Sequence, residues 1–462
     1  MLDIRNFFGK KVHMIGIGGS SMSGLAELLL KEGCAITGSD NARSSAVKRL
    51  EEKGAIIHFG HKEENVLGAD LVVFSAAISQ ENPERKQAKQ SNIPQMERSE
   101  LLGQVMRGHQ ESLCISGVHG KTTVSAMLAK ALMDCNLDPT VHIGGRFDAI
   151  NGGMRIGGKG YFVAEACEFH GSFLMMHPTV ATILNIDEDH LDYYKDIDDI
   201  ENAFGNFLAL LPENGKAVGL GDDERIVRLF SKLDKPSFTF GREEGNDYQA
   251  KNVVYKALGR PSFDVVYHGQ TLATVELSVA GDFNILNALA AFATAHVVGA
   301  DPKIVAESLS GFQGVHRRFE LTGIIDGVKL YHDYGHNPVE MHAAISVATL
   351  QGAKRVWAVM QPHTYSRVKR LFNDYLTCTK SADITLVTDI FAAREVDPGD
   401  IHTSMLIEGM RANGVEAVYT PTFDDVEKYL LSHWQEGDLV LTMGCGNINL
   451  LNEQMNEHAK NR

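Results

Sequence analysis

The sequence contains no CxxC pair. Its six cysteines, Cys34, Cys114, Cys135, Cys167, Cys378 and Cys445, are scattered over 462 residues. Such spacing argues against a zinc site or a disulfide framework and reads as small buried side chains in a reducing compartment. No apolar run approaches the roughly 20 residues that span a bilayer. The opening MLDIRNFFGKKVHMIGIGG lacks the basic-then-apolar pattern and the small-residue cleavage site of a signal peptide. The expected protein is soluble and cytoplasmic. A basic surplus is missing as well: 44 Lys and Arg stand against 59 Asp and Glu, a net charge of −15. That balance argues against nucleic acid or an anionic membrane as partner. It also means that a phosphate-bearing substrate must be met by local cations. Short-period repeats and low-complexity segments are absent too.

What is present is an ordinary globular composition, 44% hydrophobic and 22% charged. At roughly 150 residues per domain the length suggests about three domains. Short β-rich runs alternate with helical patterns nearly from end to end, the signature of stacked α/β units. In the first unit, residues 11–17, 35–38 and 71–75 read as strands and 20–31 as a helix. A polar stretch over 97–111 reads as a separator, with a boundary near 107. The second unit opens with a strand at 113–116 and a helix at 124–134. Strands follow at 161–164, 179–185 and 216–220, then a hairpin over 263–279 turning at His268-Gly269, and a helix at 284–298. After a break at 311–315, the last unit has strands at 356–360, 384–388 and 439–443. The expectation is three α/β domains in series, 1–107, 108–314 and 315–462.

Two glycine-bearing loops lie between a strand and a helix. In the first, Gly16, Gly18, Gly19 and Ser20 let the backbone approach a pyrophosphate, and the helix N-terminus supplies the positive end. Asp40 closes the next strand, where an acid can bond a ribose hydroxyl. A nucleotide ligand and a merely tight turn both fit this loop. The second runs Gly117-Val118-His119-Gly120-Lys121-Thr122-Thr123. Its N–H groups can cradle phosphates, Lys121 can neutralise the β/γ charge, and Thr122 can ligate Mg²⁺. Ile115 stands where the usual phosphate loop has its first glycine, so the pattern is a variant. Glu165 and Glu168 follow a strand on the edge where open α/β sheets bind ligands. His190, within the acidic run NIDEDHLD, follows another strand in the same manner. A hard cation on ATP takes oxygen ligands and one or two carboxylates, which makes these acids candidate metal ligands.

Taken together, GVHGKTT, Glu165-Ala166-Cys167-Glu168, NIDEDHLD, GDFNILNALAA from Gly281, Arg317-Arg318-Phe319-Glu320 and DYGHNP from Asp333 resemble the Mur ligase family, over residues 11 to 446. The resemblance implies a Rossmann-like N-terminal domain for a UDP-sugar, and a central ATPase-like domain with a mostly parallel sheet. A Rossmann-like, mobile C-terminal domain would take the amino acid. It also implies an ATP-dependent ligase of peptidoglycan precursor synthesis, working through an acyl phosphate. HMIGIGGSSMSGLAELL, Ser75-Ala76-Ala77-Ile78, QPHTYSR from Gln361 and DIFAARE from Asp389 are similar to those of the members that join L-alanine to UDP-N-acetylmuramate. The absence of lysine between Lys195 and Lys216 agrees, since relatives that add later amino acids carry a modified lysine there.

Carried over motif by motif, Gly16, Gly18, Gly19, Ser20, Asp40 and Ser75 would hold the UDP-sugar. Gly117 to Thr123, with Asn284, Asn287, Arg318 and Asp333, would hold ATP. Thr122, Glu165 and His190 would hold Mg²⁺, and Lys121, Glu165, His190 and Arg318 would be catalytic. Tyr334, His336, His363 and Arg367 would bind alanine. The chain departs from the family's motifs at Val118, Phe283 and Asn447. A ligase of a preformed murein tripeptide and a non-catalytic ATP-binding relative remain open beside the alanine-adding reading. The protein is expected to be a monomer or a homodimer.

Overall fold

The computed structural model describes residues 2–188 and 193–461. Three sheets follow one another along the chain. The first contains β1 (Lys11–Ile15), β2 (Ala35–Asp40), β3 (Ile56–Phe59), β4 (Leu71–Phe74) and β5 (Gln95–Glu97), in the order β3-β2-β1-β4-β5 and parallel throughout. The strand order turns back on either side of β1, so the loop after β1 opens at a topological switch point. That loop is the first glycine loop.

The second sheet has ten strands: β6 (Glu111–Ser116), β7 (Thr140–Phe147), β8 (Gly152–Arg155), β9 (Tyr161–Glu165), β10 (Val180–Ile183), β11 (Lys216–Leu220), β12 (Ser237–Gly241), β13 (Tyr248–Tyr255), β14 (Pro261–Tyr267) and β15 (Gln270–Glu276). Their order is β15-β14-β13-β12-β11-β10-β6-β9-β7-β8. β6 lies between β10 and β9, parallel to both, and the phosphate loop leaves its carboxyl end. The helix that follows, Lys121–Asp134, buries Val124, Met127, Leu128, Ala131 and Leu132. That spacing of one and two turns lays one apolar stripe against the sheet.

The third sheet has the order β16-β17-β21-β18-β19-β20, where β16 is Glu320–Ile325, β17 Val328–Asp333, β18 Val356–Met360, β19 Ile384–Val387, β20 Ala417–Tyr419 and β21 Leu439–Met443. Only β16 runs antiparallel to its neighbour. By compactness the chain divides into two units. One holds the residues up to Lys251 with Asp264–Val275 and Leu286–Leu309; the other holds Asn252–Phe263, Glu276–Ile285 and the chain from Ser310 on.

The polar stretch over 97–111 is not a plain separator: Arg98–Met106 is helical and buries Leu101, Leu102, Val105 and Met106. Those pairs recur four residues apart, which is the helical period. Within the first unit, one apolar core takes in Met14, Leu25 and Leu29 as well as Leu102, Cys114 and Phe162. The first two sheets are therefore packed on shared side chains. Among the described residues, no helix is long and apolar enough to cross a membrane.

Candidate functional site

The candidate residues that the structure describes lie at or beyond the carboxyl end of a parallel strand, apart from the two asparagines of helix Phe283–Val297 and Arg318, which precedes the antiparallel β16. Gly16 follows β1, Asp40 ends β2 and Ser75 follows β4. Gly16 has φ of 75° and is held by its N–H bond to the Ser39 carbonyl, 2.8 Å. The Asp40 carboxylate accepts the Gly18 N–H at 2.8 Å and the Ala42 N–H at 3.1 Å. The acid read from sequence as a ribose partner thus pins the loop itself, because the loop brings Gly18 back over the end of β2. A Cβ on Gly18 would come within 2.9 Å of that carboxylate, so a side chain is excluded there. Ser20 begins the helix Ser20–Lys31, which is capped by Gly19 without a side-chain acceptor. Ser75 closes on the loop from the side, its Oγ 3.8 Å from where a Gly16 Cβ would stand.

In the phosphate loop, Gly117 and Gly120 have φ of 138° and 87°, in the region open to glycine. Space forbids a side chain at both: a Cβ would meet the Leu184 Cβ at 2.9 Å and the Asn287 Oδ1 at 2.6 Å respectively. Asn287 therefore stands over the loop. Asn185, beyond β10, clamps the loop backbone. Its Oδ1 accepts the His119 N–H at 2.9 Å and its Nδ2 donates to the His119 carbonyl at 3.0 Å. The His119 ring faces Asp187 at 3.4 Å, which helps hold the Asp187 carboxyl below its usual range. Val118 is buried beneath the turn, and Thr123 lies in the first turn of the helix.

Each reactive side chain of this loop meets a carboxylate. Lys121 Nζ donates to the carbonyls of Gly117 and Val118 at 2.6 and 3.1 Å and to both oxygens of Glu168 at 3.0 and 2.9 Å. Burial pulls the Lys121 ammonium down, but the Glu168 carboxylate outweighs it and the pKa stands above the ordinary lysine value. The lysine is thus charged. Glu168 is buried, and its carbonyl accepts the Tyr194 hydroxyl at 2.6 Å. Thr122 Oγ1 donates to the Glu165 oxygens at 3.0 and 2.9 Å, and the Gly144 N–H donates to the same carboxylate at 2.7 Å. Thr122 and Glu165 present hard oxygen donors side by side, which suits a small divalent cation that keeps waters and phosphate oxygens as its other ligands. His190 lies outside the described residues. Among the described residues, no group of three or more His, Cys, Asp or Glu gathers as a metal cluster.

A third cluster forms in the second unit at the ends of β17, β18 and β21. Asp333 ends β17 and accepts the Phe319 N–H at 2.8 Å and the Gly335 N–H at 2.6 Å. Burial raises its pKa, opposed by Arg318 and these two bonds. The Arg318 guanidinium lies 5.0 Å from the centre of the Tyr334 ring. Its neighbour Arg317 is turned into the scaffold, donating to His332 Nε2 at 3.1 Å and to the carbonyls of Gly444 and Gly446 at 3.3 and 3.2 Å. The two adjacent arginines therefore have different work. His336 has Tyr334 and His363 on either side, with ring centroids 5.8 and 6.1 Å away. Arg367 Nη1 reaches His363 Nδ1 at 3.2 Å. The four residues expected around an amino acid thus form one contiguous group. Asn284 lies one turn from Asn287 on helix Phe283–Val297 and donates to the Ala280 carbonyl at 2.7 Å.

Sequence reasoning left Asn185 without a role and took Glu168 for a metal candidate. Their partners lie 66 and 47 residues away, and only folding shows the contacts.

The motifs extend to whole-chain similarity. Residues 11–110 match the Mur ligase family, catalytic domain; residues 115–295 match the Mur ligase middle domain; residues 317–446 match the Mur ligase, glutamate ligase domain. A UDP-N-acetylmuramate–L-alanine ligase of Caldanaerobacter subterraneus subsp. tengcongensis is 43% identical over 459 residues, 99% of both chains. Another of that name, from Clostridium novyi, is 45% identical over 448 residues, 97% of each chain. The crystal structure of a UDP-N-acetylmuramate-alanine ligase from Thermotoga maritima superposes with a TM-score of 0.82 at 26% identity, covering 98% of this chain and 99% of that one.

Proposed function

The chain belongs to the Mur ligase family, and we propose that it joins L-alanine to the lactyl carboxylate of UDP-N-acetylmuramate with ATP as the second substrate. The observation that carries this reading is the pairing of two strand-end loops in one compact unit. One is a glycine loop pinned by Asp40, and the other is a phosphate loop with Lys121 and Thr122 each set on a carboxylate.

A carboxylate oxygen is too poor a leaving group to be displaced by an amine, so it must first be activated. Phosphoryl transfer from ATP to the lactyl carboxylate gives an acyl phosphate whose leaving group is phosphate, and the protein's part is positioning and charge neutralisation. Lys121, kept charged by Glu168, meets the γ-phosphoryl charge. The N–H groups of the loop, held by the Asn185 clamp, bond the phosphate oxygens. Mg²⁺, when bound, neutralises phosphate charge, and Thr122, Glu165 and His190 are the residues assigned to hold it. Asn284, Asn287, Arg318 and Asp333 are assigned to the nucleotide by their motifs. The amino acid falls to Tyr334, His336, His363 and Arg367, where the guanidinium takes its carboxylate. One of the two neighbouring imidazoles, His336 or His363, is assigned to receive the amine's proton.

Phosphate release from ATP with Mg²⁺ and UDP-N-acetylmuramate tests the assignment, with L-alanine, glycine, L-serine or murein tripeptide added in turn. Release that needs both the sugar nucleotide and L-alanine is expected. Stimulation by the tripeptide alone overturns the amino-acid assignment.

A further inference from the structure

The proposed reaction requires one substrate to reach from the glycine loop to the phosphate loop, and the structure has an unused cation beside the helix that follows the glycine loop. Arg98 begins the helix Arg98–Met106 and is half-buried. Its single hydrogen-bond partner among the described residues is Ser21 Oγ, reached by Nη1 at 3.3 Å. The adjacent Glu97 is occupied by the Ser99 hydroxyl at 3.0 Å and forms no ion pair with it. In a chain of net charge −15, a half-buried guanidinium paired with no carboxylate is a built cation. Ser21 lies in the glycine-loop helix, and its Oγ is also 2.6 Å from His142 Nε2 on β7. Burial, followed by the charge of Arg98, lowers the His142 pKa to about 4, so the imidazole beside Ser21 is neutral and adds no second positive charge.

β7 connects this cluster to the reacting end. His142 is paired in register with Ala164, the residue before Glu165, on β9. Two residues further along β7, roughly 7 Å of strand, the Gly144 N–H bonds Glu165 at 2.7 Å. Ser21, which Arg98 reaches, is thus linked through His142 and β7 to the carboxylate that holds Thr122. A planar guanidinium with four N–H donors unused is suited to bidentate capture of a carboxylate.

We propose that Arg98, steadied by Ser21, binds the carboxylate of the sugar nucleotide and presents it to the phosphate loop. The inference rests on the reading of function given above and adds the residue that selects an acid-bearing sugar. It predicts discrimination between UDP-N-acetylmuramate and UDP-N-acetylglucosamine, which share the diphosphate and differ in the lactyl carboxylate.

Binding of the two nucleotides, and of an ATP analogue with Mg²⁺, should be measured calorimetrically on the full chain as wild type, Arg98→Gln, Arg98→Lys and Ser21→Ala. The steady-state KM for each substrate should be measured beside it. For Arg98→Gln the expected result is a loss of UDP-N-acetylmuramate affinity on the order of 100-fold. UDP-N-acetylglucosamine and ATP-analogue binding should be unchanged, and Arg98→Lys should restore part of the loss. Ser21→Ala should give a smaller loss in the same direction. Equal weakening of both sugar nucleotides would assign the charge to the diphosphate and overturn the proposal, as would unchanged binding of both. Unaltered ATP-analogue binding shows that the variants are folded. Wild-type protein that binds neither sugar nucleotide overturns the reading of function itself, whatever the variants do.

Discussion

Two loops of this chain leave a parallel strand at its carboxyl end and enter a helix, one after β1 and one after β6, but they are anchored by different chemistry. The glycine loop is held by a carboxylate, Asp40, which accepts the N–H of Gly18. The phosphate loop is held by an amide, Asn185, which both accepts from and donates to the backbone of His119. The glycine loop has no lysine; Asp40 bonds its backbone, and the guanidinium of Arg98 reaches Ser21 just beyond it. The phosphate loop carries its own cation, and that cation has a buried counter-charge in Glu168. Topology alone therefore makes an anion-binding turn, and the side chains around it decide how much charge the turn can take. A diphosphate that stays intact needs backbone N–H groups. A phosphoryl group in flight needs a fixed positive charge beside them.

The largest expected effect breaks that contrast. Lys121→Met should lower ATP-dependent phosphate release on the order of 1000-fold. It should also leave Glu168 buried without its partner, at about 3–5 kcal/mol of stability, read from urea unfolding. The double variant Lys121→Met with Glu168→Gln should regain much of the stability and none of the activity. Recovery of activity in the double variant would show that the lysine's charge is not what the loop needs.

A second test compares the surroundings of the loops by acid. His142, beside the glycine-loop helix, has a folded pKa of about 4 against an ordinary 6.5. Between these values the unfolded chain binds the extra proton, so stability is fullest above pH 6.5 and declines as pH falls toward 4. The loss from this residue between pH 7 and pH 5 is about 2 kcal/mol, and His142→Gln should flatten that part of the profile. In the second unit His332 is pushed lower still, to about 3, by burial and then by Arg317. His142→Gln should therefore leave the remaining acid sensitivity in place. A profile made flat by His142→Gln alone would contradict the placement of His332.

The smallest effect concerns the thiol beside the phosphate loop. Burial, then the charge of Glu168, pushes Cys167 up to about 11. Its alkylation by iodoacetamide should stay slow at pH 8, and Cys167→Ser should keep phosphate release within about twofold of wild type. Fast alkylation at pH 8 would contradict the burial that holds the thiol protonated.

Much of this plan was legible in the sequence where short-range signals suffice. GVHGKTT reads as strand, loop and helix because glycines, lysine and the apolar stripe of Lys121–Asp134 all fall within 18 residues of one another. The strands Lys216–Leu220, Val356–Met360 and Leu439–Met443 are short apolar runs between clear breaks and end where the sequence indicates. β7 was not legible. TVHIGGRF carries two glycines, and its pairing with β8 shifts register between His142 and Phe147, so the alternation that marks a strand is interrupted. With β7 unseen, nothing in the sequence connected Ser21 to Glu165. The helix Arg98–Met106 was hidden by its polar flanks, although Leu101, Leu102, Val105 and Met106 carry the helical spacing. Asp40 was found by position, but its bond to Gly18 was not, because sequence shows the strand end and not the loop folding back onto it.

The measurement that bears most directly on the division between the loops is a pair of initial-rate surfaces, with both ATP and UDP-N-acetylmuramate varied, for Asp40→Ala and Asn185→Ala. Asp40→Ala is expected to raise the KM for the sugar nucleotide at least tenfold and leave the KM for ATP unchanged. Asn185→Ala is expected to do the reverse, each removing bonds worth about 1–3 kcal/mol. Both variants raising the same KM, or each raising both equally, would contradict the account in which one loop holds the sugar nucleotide and the other holds ATP.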